Sequence, residues 1–141
     1  MELIVTDRAS IEAGIVVRGR YVVISIHDPD KPRPKIPNRL GLVNILNLAF
    51  HDAEPTTQFD VPGHIQLMTL DQAREIWHFV KKYQNQVDII ICHCEQGMSR
   101  SPAVAAALAN RLGEDGSRFL AGYQPNEHVR RLLVTQMSLC S

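Results

Sequence analysis

Polar and apolar positions alternate along this chain in two rhythms. Nearly unbroken apolar runs at Leu3-Ile-Val5, Tyr21–Ile26, Val43–Phe50 and Val87–Cys92 predict short strands, since strands covered on both faces read as continuous β-branched runs. Val87–Cys92 is almost wholly apolar and is expected at the centre of the sheet. A helical rhythm follows Thr69-Leu-Asp-Gln72, a pattern in which threonine and glutamine satisfy each other's free amides at a helix start. Behind it Ala73, Ile76, Trp77, Val80 and Tyr83 fall on one helical face. Ser101-Pro102 predicts a second helix, with serine capping and proline in first position, running through the alanines to Leu112. A third starts at Asn126 or Pro125 and places Val129, Leu132, Leu133 and Gln136 or Met137 on one side. Ala9–Gly14 is only weakly patterned. Pro29, Pro32, Pro34 and Pro37 make Asp28–Arg39 a loop, because proline removes amide donors, and Asp52–Gly63 reads as another.

This alternation predicts an α/β fold, a mostly parallel central sheet flanked by helices. The length of 141 residues fits a single domain spanning 1–141. Ligands of such sheets bind beyond the carboxyl ends of the strands, so chemistry is expected where the central run ends, at Cys92-His93-Cys94. Composition narrows the classes: 45% apolar and 21% charged residues exclude a disordered chain. Fifteen basic residues balance fifteen acidic ones, leaving no overall field to draw in nucleic acid or anionic lipid. Any anion must therefore be gripped locally. No apolar run has membrane-spanning length, the first residues lack a signal-peptide pattern, and three cysteines suit a reducing compartment. The expectation is a cytoplasmic monomer without nucleic-acid or membrane partners.

The segment after the central run is His93-Cys94-Glu95-Gln96-Gly97-Met98-Ser99-Arg100-Ser101-Pro102. Amides of a short loop entering a helix can converge on one point and cradle an anion. Gly97 permits a tight turn, and Arg100 offers a planar fork matching two phosphate oxygens. A cysteine at the floor of such a positive cradle is favoured as thiolate, a nucleophile aimed at phosphorus. The Ser101 hydroxyl could steady the sulfur when it leaves, and His93 could fix the loop through backbone groups. Against this stands the commoner fate of a lone cysteine, a buried structural thiol. Metal binding is disfavoured, because strand alternation sets His93 opposite Cys92 and Cys94 and no second Cys/His pair completes a zinc set. Cys92 reads as core, with a redox role as the weaker alternative.

His93-Cys94-x5-Arg100-Ser101 resembles the signature of the cysteine-dependent protein tyrosine phosphatases. Gly97 and Ser99-Arg100-Ser101 are most similar to the compact dual-specificity branch, and the likeness extends from Ile45 to about Leu133. It implies the phosphotyrosine protein phosphatase II-like architecture and a phosphoric monoester hydrolase working through a cysteinyl-phosphate without cofactor or metal. Cys94 would attack, and the 95–100 loop (Glu95, Gln96, Gly97, Met98, Ser99, Arg100) would hold the phosphate. An upstream aspartate would protonate the leaving oxygen. Asp52, directly after a strand, is preferred over Asp60, with Glu54 a distant third; Asp71 is explained by its place in a helix's first turn. His51 beside Asp52 has either an ordinary packing role or one in orienting the aspartate or touching substrate. The implied partner is a phosphorylated protein or peptide, with phosphotyrosine or mixed specificity. The loop carries Glu95 and no added cation, which argues against inositol phosphates; neutral charge argues against RNA 5′-phosphates. A phosphate-binding module without turnover is the remaining alternative. Lys31, Arg33, Lys35 and Arg39 form a basic loop, either merely solvated or a rim for anions.

Overall fold

A computed structural model of the protein describes residues 1–55 and 62–137. Four strands, β1 (Glu2–Asp7), β2 (Tyr21–His27), β3 (Leu42–Ala49) and β4 (Ile89–Cys94), form one parallel sheet in the order β1-β4-β2-β3. The helices are α1 (Arg8–Ala13), α2 (Leu70–Tyr83), α3 (Arg100–Arg111) and α4 (Glu127–Met137), with a 3-10 turn at Ser117–Phe119. The α/β class and parallel sheet expected from the alternating pattern are both present.

Every residue of β2 and β4 is buried, as befits inner strands covered on both faces. Side chains alternate between two cores. Leu3, Val22, Ile24, Ile26, Ile90 and Cys92 pack with α2, α3 and α4, whereas Tyr21, Val23, Ile89 and Ile91 pack with Ile11 of α1. Helix α3 is buried along nearly its whole length, its small alanines letting it lie close to the sheet. Trp77 of α2 donates its indole N–H to the Leu133 carbonyl of α4 at 2.8 Å. No helix among the described residues is long and apolar enough to cross a membrane.

Three expectations need correction. The central strand is shifted: it runs Ile89–Cys94, paired with β1 from Glu2↔Ile89 to Asp7↔Cys94, rather than Val87–Cys92. The ladder tolerates polar His93 because Ser25 on β2 receives its ring, Nε2 to Oγ 2.7 Å. The weakly patterned Ala9–Gly14 region is a helix, α1, capped by Asp7, whose carboxylate accepts from the Ser10 amide at 2.7 Å. Six residues with one buried side chain, Ile11, are too few to display a period. Helix α3 begins at Arg100, so Ser101 and Pro102 lie inside its first turn and Ser101 is no cap. The Thr69–Gln72 capping box forms as expected, with reciprocal bonds of 3.1 and 2.9 Å. Asn126 caps α4 through its carbonyl oxygen, 3.1 Å from the Val129 amide.

Candidate active site

The strand β4 delivers Cys94 to the carboxyl edge of the sheet, and residues 95–99 turn the chain into α3. Cys94 is 2% exposed and lies at the floor of a cavity of about 660 Å³. Its Sγ accepts from the Gly97 amide at 3.2 Å and lies 3.2 Å from the Ser101 hydroxyl. Freed from capping, Ser101 thus turns its hydroxyl inward to sulfur. Gly97 has φ +71°, and a Cβ there would stand 2.8 Å from the Thr6 carbonyl oxygen. The loop is pressed so closely onto the end of β1 that only glycine fits.

Arg100 is 4% exposed. Its Nη1 donates to Asp28 Oδ1 and to the Phe50 carbonyl, both at 2.7 Å. Its buried Nε has no partner among the described residues, and the side chain lines the same cavity as Cys94. A buried charged donor without a partner is costly.

His93 is fully buried, and burial pushes its pKa down to about 4. Its Nδ1 lies 3.3 Å from the Cys94 carbonyl, an acceptor only, so Nδ1 carries the proton and Nε2 accepts from Ser25. Cys92 is wholly buried, which raises its thiol pKa; it lies in the α2–α4 core.

Asp52 lies three residues beyond β3 and lines the cavity with Cys94. Its Oδ1 accepts from the Ser99 hydroxyl at 2.8 Å and from Asn126 Nδ2 at 2.9 Å. Asp60 lies outside the described residues, as does Cys140. Glu54 accepts from the Glu127 amide at 2.6 Å and lines a neighbouring cleft rather than the Cys94 cavity.

The loop residues behave differently from one another. Gln96 and Met98 line the cavity. Glu95 pairs with Arg8 at 3.2 Å and accepts from the Asp28 amide at 3.0 Å, which neutralises its charge within the cradle. Outside the loop, the Gln124 amide donates to the Met98 carbonyl and the Asn126 amide to the Ser99 carbonyl. The basic loop does reach the mouth: Lys31 and Asp28 line the cavity, 3.5 Å apart. Arg8 and Lys31 thus join Arg100 from outside the 95–100 loop, each paired with a carboxylate of the same cavity, a contribution that the loop's own sequence could not reveal.

Sequence reading missed Arg8, Asp28 and the contact of Asn126 with Asp52. Asp28 carries no local signal, being a polar residue after a strand. The Pro125-Asn126 helix start was the available signal for Asn126.

No protein-family model and no curated protein sequence matches the chain. Solved structures do. Human DUSP28 superimposes with TM-score 0.61 at 16% identity over 97% of this chain and 94% of that one. The human tyrosine phosphatase-like serine/threonine/tyrosine-interacting protein gives 0.55 at 18% identity, over 86% and 78%. PTPMT1 gives 0.54 at 16% identity, over 99% and 91%. The chain therefore has the fold of the cysteine-dependent protein tyrosine and dual-specificity phosphatases.

Proposed function

We propose that the protein is a phosphoric monoester hydrolase acting through a cysteinyl-phosphate, with phosphotyrosine or mixed phosphoprotein specificity. The observation that carries this reading is one cavity holding a cysteine sulfur with an amide and a hydroxyl at 3.2 Å, lined also by the guanidinium-bearing Arg100, whose Nη1 is fixed by Asp28 and the Phe50 carbonyl. Cys94 attacks phosphorus in line while Arg100 and the loop amides hold the equatorial oxygens. Asp52 gives its proton to the departing oxygen, since an alkoxide or phenolate leaves poorly. Water then attacks the phosphocysteine with Asp52 as base, and Ser101 steadies the returning thiolate. The guanidinium and amides supply the positive field that the transferring phosphoryl needs.

The test is hydrolysis of para-nitrophenyl phosphate in the presence of chelator and reductant. Wild type turns over, and Cys94→Ser abolishes turnover while still binding inorganic phosphate; binding without turnover by wild type would instead establish a phosphate-binding module. Asp52→Asn and Asp60→Asn are compared on a poor leaving group. The Asp52 change is expected to cost about 10²–10⁴ in kcat/KM, the range of general acid catalysis. An equal loss in Asp60→Asn alone would move the role there.

A further inference from the structure

His51 lines the cavity and the proposed chemistry leaves it without a task, yet its ring nitrogens both have defined partners. Its backbone amide donates to the Gln66 carbonyl at 2.7 Å, and the Gln66 amide returns to His51 Nδ1 at 2.9 Å. One residue thus accepts and donates against the same partner, once by main chain and once by ring. An amide only donates, so Nδ1 holds its lone pair toward Gln66 and the ring proton sits on Nε2. That Nε2 lies 3.2 Å from Asp30 Oδ1 at the exposed side of the basic loop. Gln66 is exposed, but the chain is tied down just after it. Two residues on, Met68 is in the core and its carbonyl lies 3.0 Å from His128 Nε2 on α4.

The consequence falls on Asp52. The Phe50 amide is held by the His27 carbonyl, and its own carbonyl by Arg100. The Ala53 amide donates to the His51 carbonyl at 3.0 Å. Asp52 is itself held by Ser99 and Asn126 and the Ala53 carbonyl by Asn126; the His51–Gln66 pair adds a hold on the backbone at the residue just before Asp52. We propose that His51 is a positioning residue for Asp52, acting through its Nδ1 bond to the Gln66 amide. This rests on Asp52 being the proton donor.

The two ends of the imidazole can be tested apart. In His51→Asn the side-chain oxygen reaches the Nδ1 position and keeps an acceptor for Gln66. In His51→Gln the amide reaches toward Asp30 and leaves the Gln66 amide unmet. The measurement is kcat/KM over a series of aryl phosphates of rising leaving-group pKa. On poor leaving groups His51→Gln and His51→Ala should fall about tenfold, a modest misplacement of a positioned acid, and by less than about twofold on good ones, where the proton matters little. His51→Asn should recover most of the loss. In an Asp52→Asn background, His51→Gln should have no further effect, because there is then no acid to position.

Equal losses on every leaving group, failure of asparagine to rescue where glutamine also fails, or full additivity with Asp52→Asn would each overturn the proposal. A rise in KM alone would overturn it in favour of direct substrate contact. Should wild type show no turnover, or should Asp52→Asn show no leaving-group dependence, it is the functional reading that fails. Should those two behave as expected while the His51 variants do not, this inference alone fails. Thermal unfolding of each variant identifies any that fails to fold, and the asparagine–glutamine comparison stands even without the alanine variant.

Discussion

His93 makes the protein acid-sensitive in a window set by its burial. The ring is sealed between Ser25 and the Cys94 carbonyl, and its pKa falls from the ordinary 6.5 to about 4. The unfolded chain takes up a proton near 6.5 that the folded one refuses until near 4. Stability is therefore complete above the unfolded value and lost as pH falls between the two. The depression of 6.5 to about 4 corresponds to roughly 3 kcal/mol at 1.36 kcal/mol per unit. His27, also buried, shifts in the same direction through desolvation and adds to the slope. Asp7, Asp30, Asp115 and Glu12 have lowered values; their stabilisation is lost only as pH falls below the ordinary carboxylate range. Urea unfolding followed by Trp77, the single tryptophan, between pH 7.5 and 4 reads the effect. Wild type should lose roughly 3 kcal/mol, with a slope approaching one proton. His93→Asn should flatten that slope whatever it does to the plateau, since it leaves the buried Ser25 hydroxyl short of a partner. A variant with the wild-type slope, or a His93 ring proton that titrates near 6.5 by NMR, would refute the assignment.

Two further perturbations probe the cradle. Asp28→Ala takes one of two acceptors from Arg100 Nη1. Because Asp28 is 21% exposed, the expected cost is about 1–2 kcal/mol, below the 3–5 of a sealed pair, and inhibition by inorganic phosphate should weaken about tenfold as the fork loses orientation. Asp28→Asn keeps an acceptor and should stay within about threefold; tighter phosphate binding by the alanine variant would show that charge, not orientation, is what Asp28 contributes. Gly97→Ala places a methyl against the Thr6 carbonyl at φ +71°. It should cost about 1–3 kcal/mol and disturb the amide that faces Cys94 Sγ, lowering kcat/KM; unchanged melting and activity would mean the loop has room to move.

What was legible in the sequence were features written locally. The capping box at Thr69–Gln72, the amphipathic face from Ala73 to Tyr83 and the apolar strand runs each depend on near neighbours, and all are present. Cys94, Gly97, Arg100 and Ser101 could be singled out together because one short loop carries them. Reading failed at helix boundaries and short elements, and where the deciding partner was distant in sequence. Ser101 looked like the cap of a helix starting at Pro102, yet the helix starts two residues earlier, at Arg100, and the Ser101 hydroxyl faces sulfur. His93 ended no strand, because Ser25 on another strand receives it. Asp28 became a ligand of Arg100 through strand order alone.

That strand order explains why the site assembles at all. In a parallel sheet every strand ends at the same edge, so the order β1-β4-β2-β3 puts the ends of β1 and β2 on either side of the end of β4. The Arg8 amide just past β1 donates to the Glu95 carbonyl, and the Asp28 amide just past β2 donates to the Glu95 carboxylate. Glu95 is therefore the pin that fastens the loop before α3 to both neighbours, and Arg8 pairs with its carboxylate. The end of β3 lies one strand further out, and the Phe50 carbonyl just past it meets the Arg100 side chain rather than the loop backbone. Asp52 spans that gap through Ser99 on the loop and Asn126 at the start of α4. In the proposed mechanism these bonds put the proton donor in direct contact with the nucleophile's own loop, so that acid and sulfur share one frame.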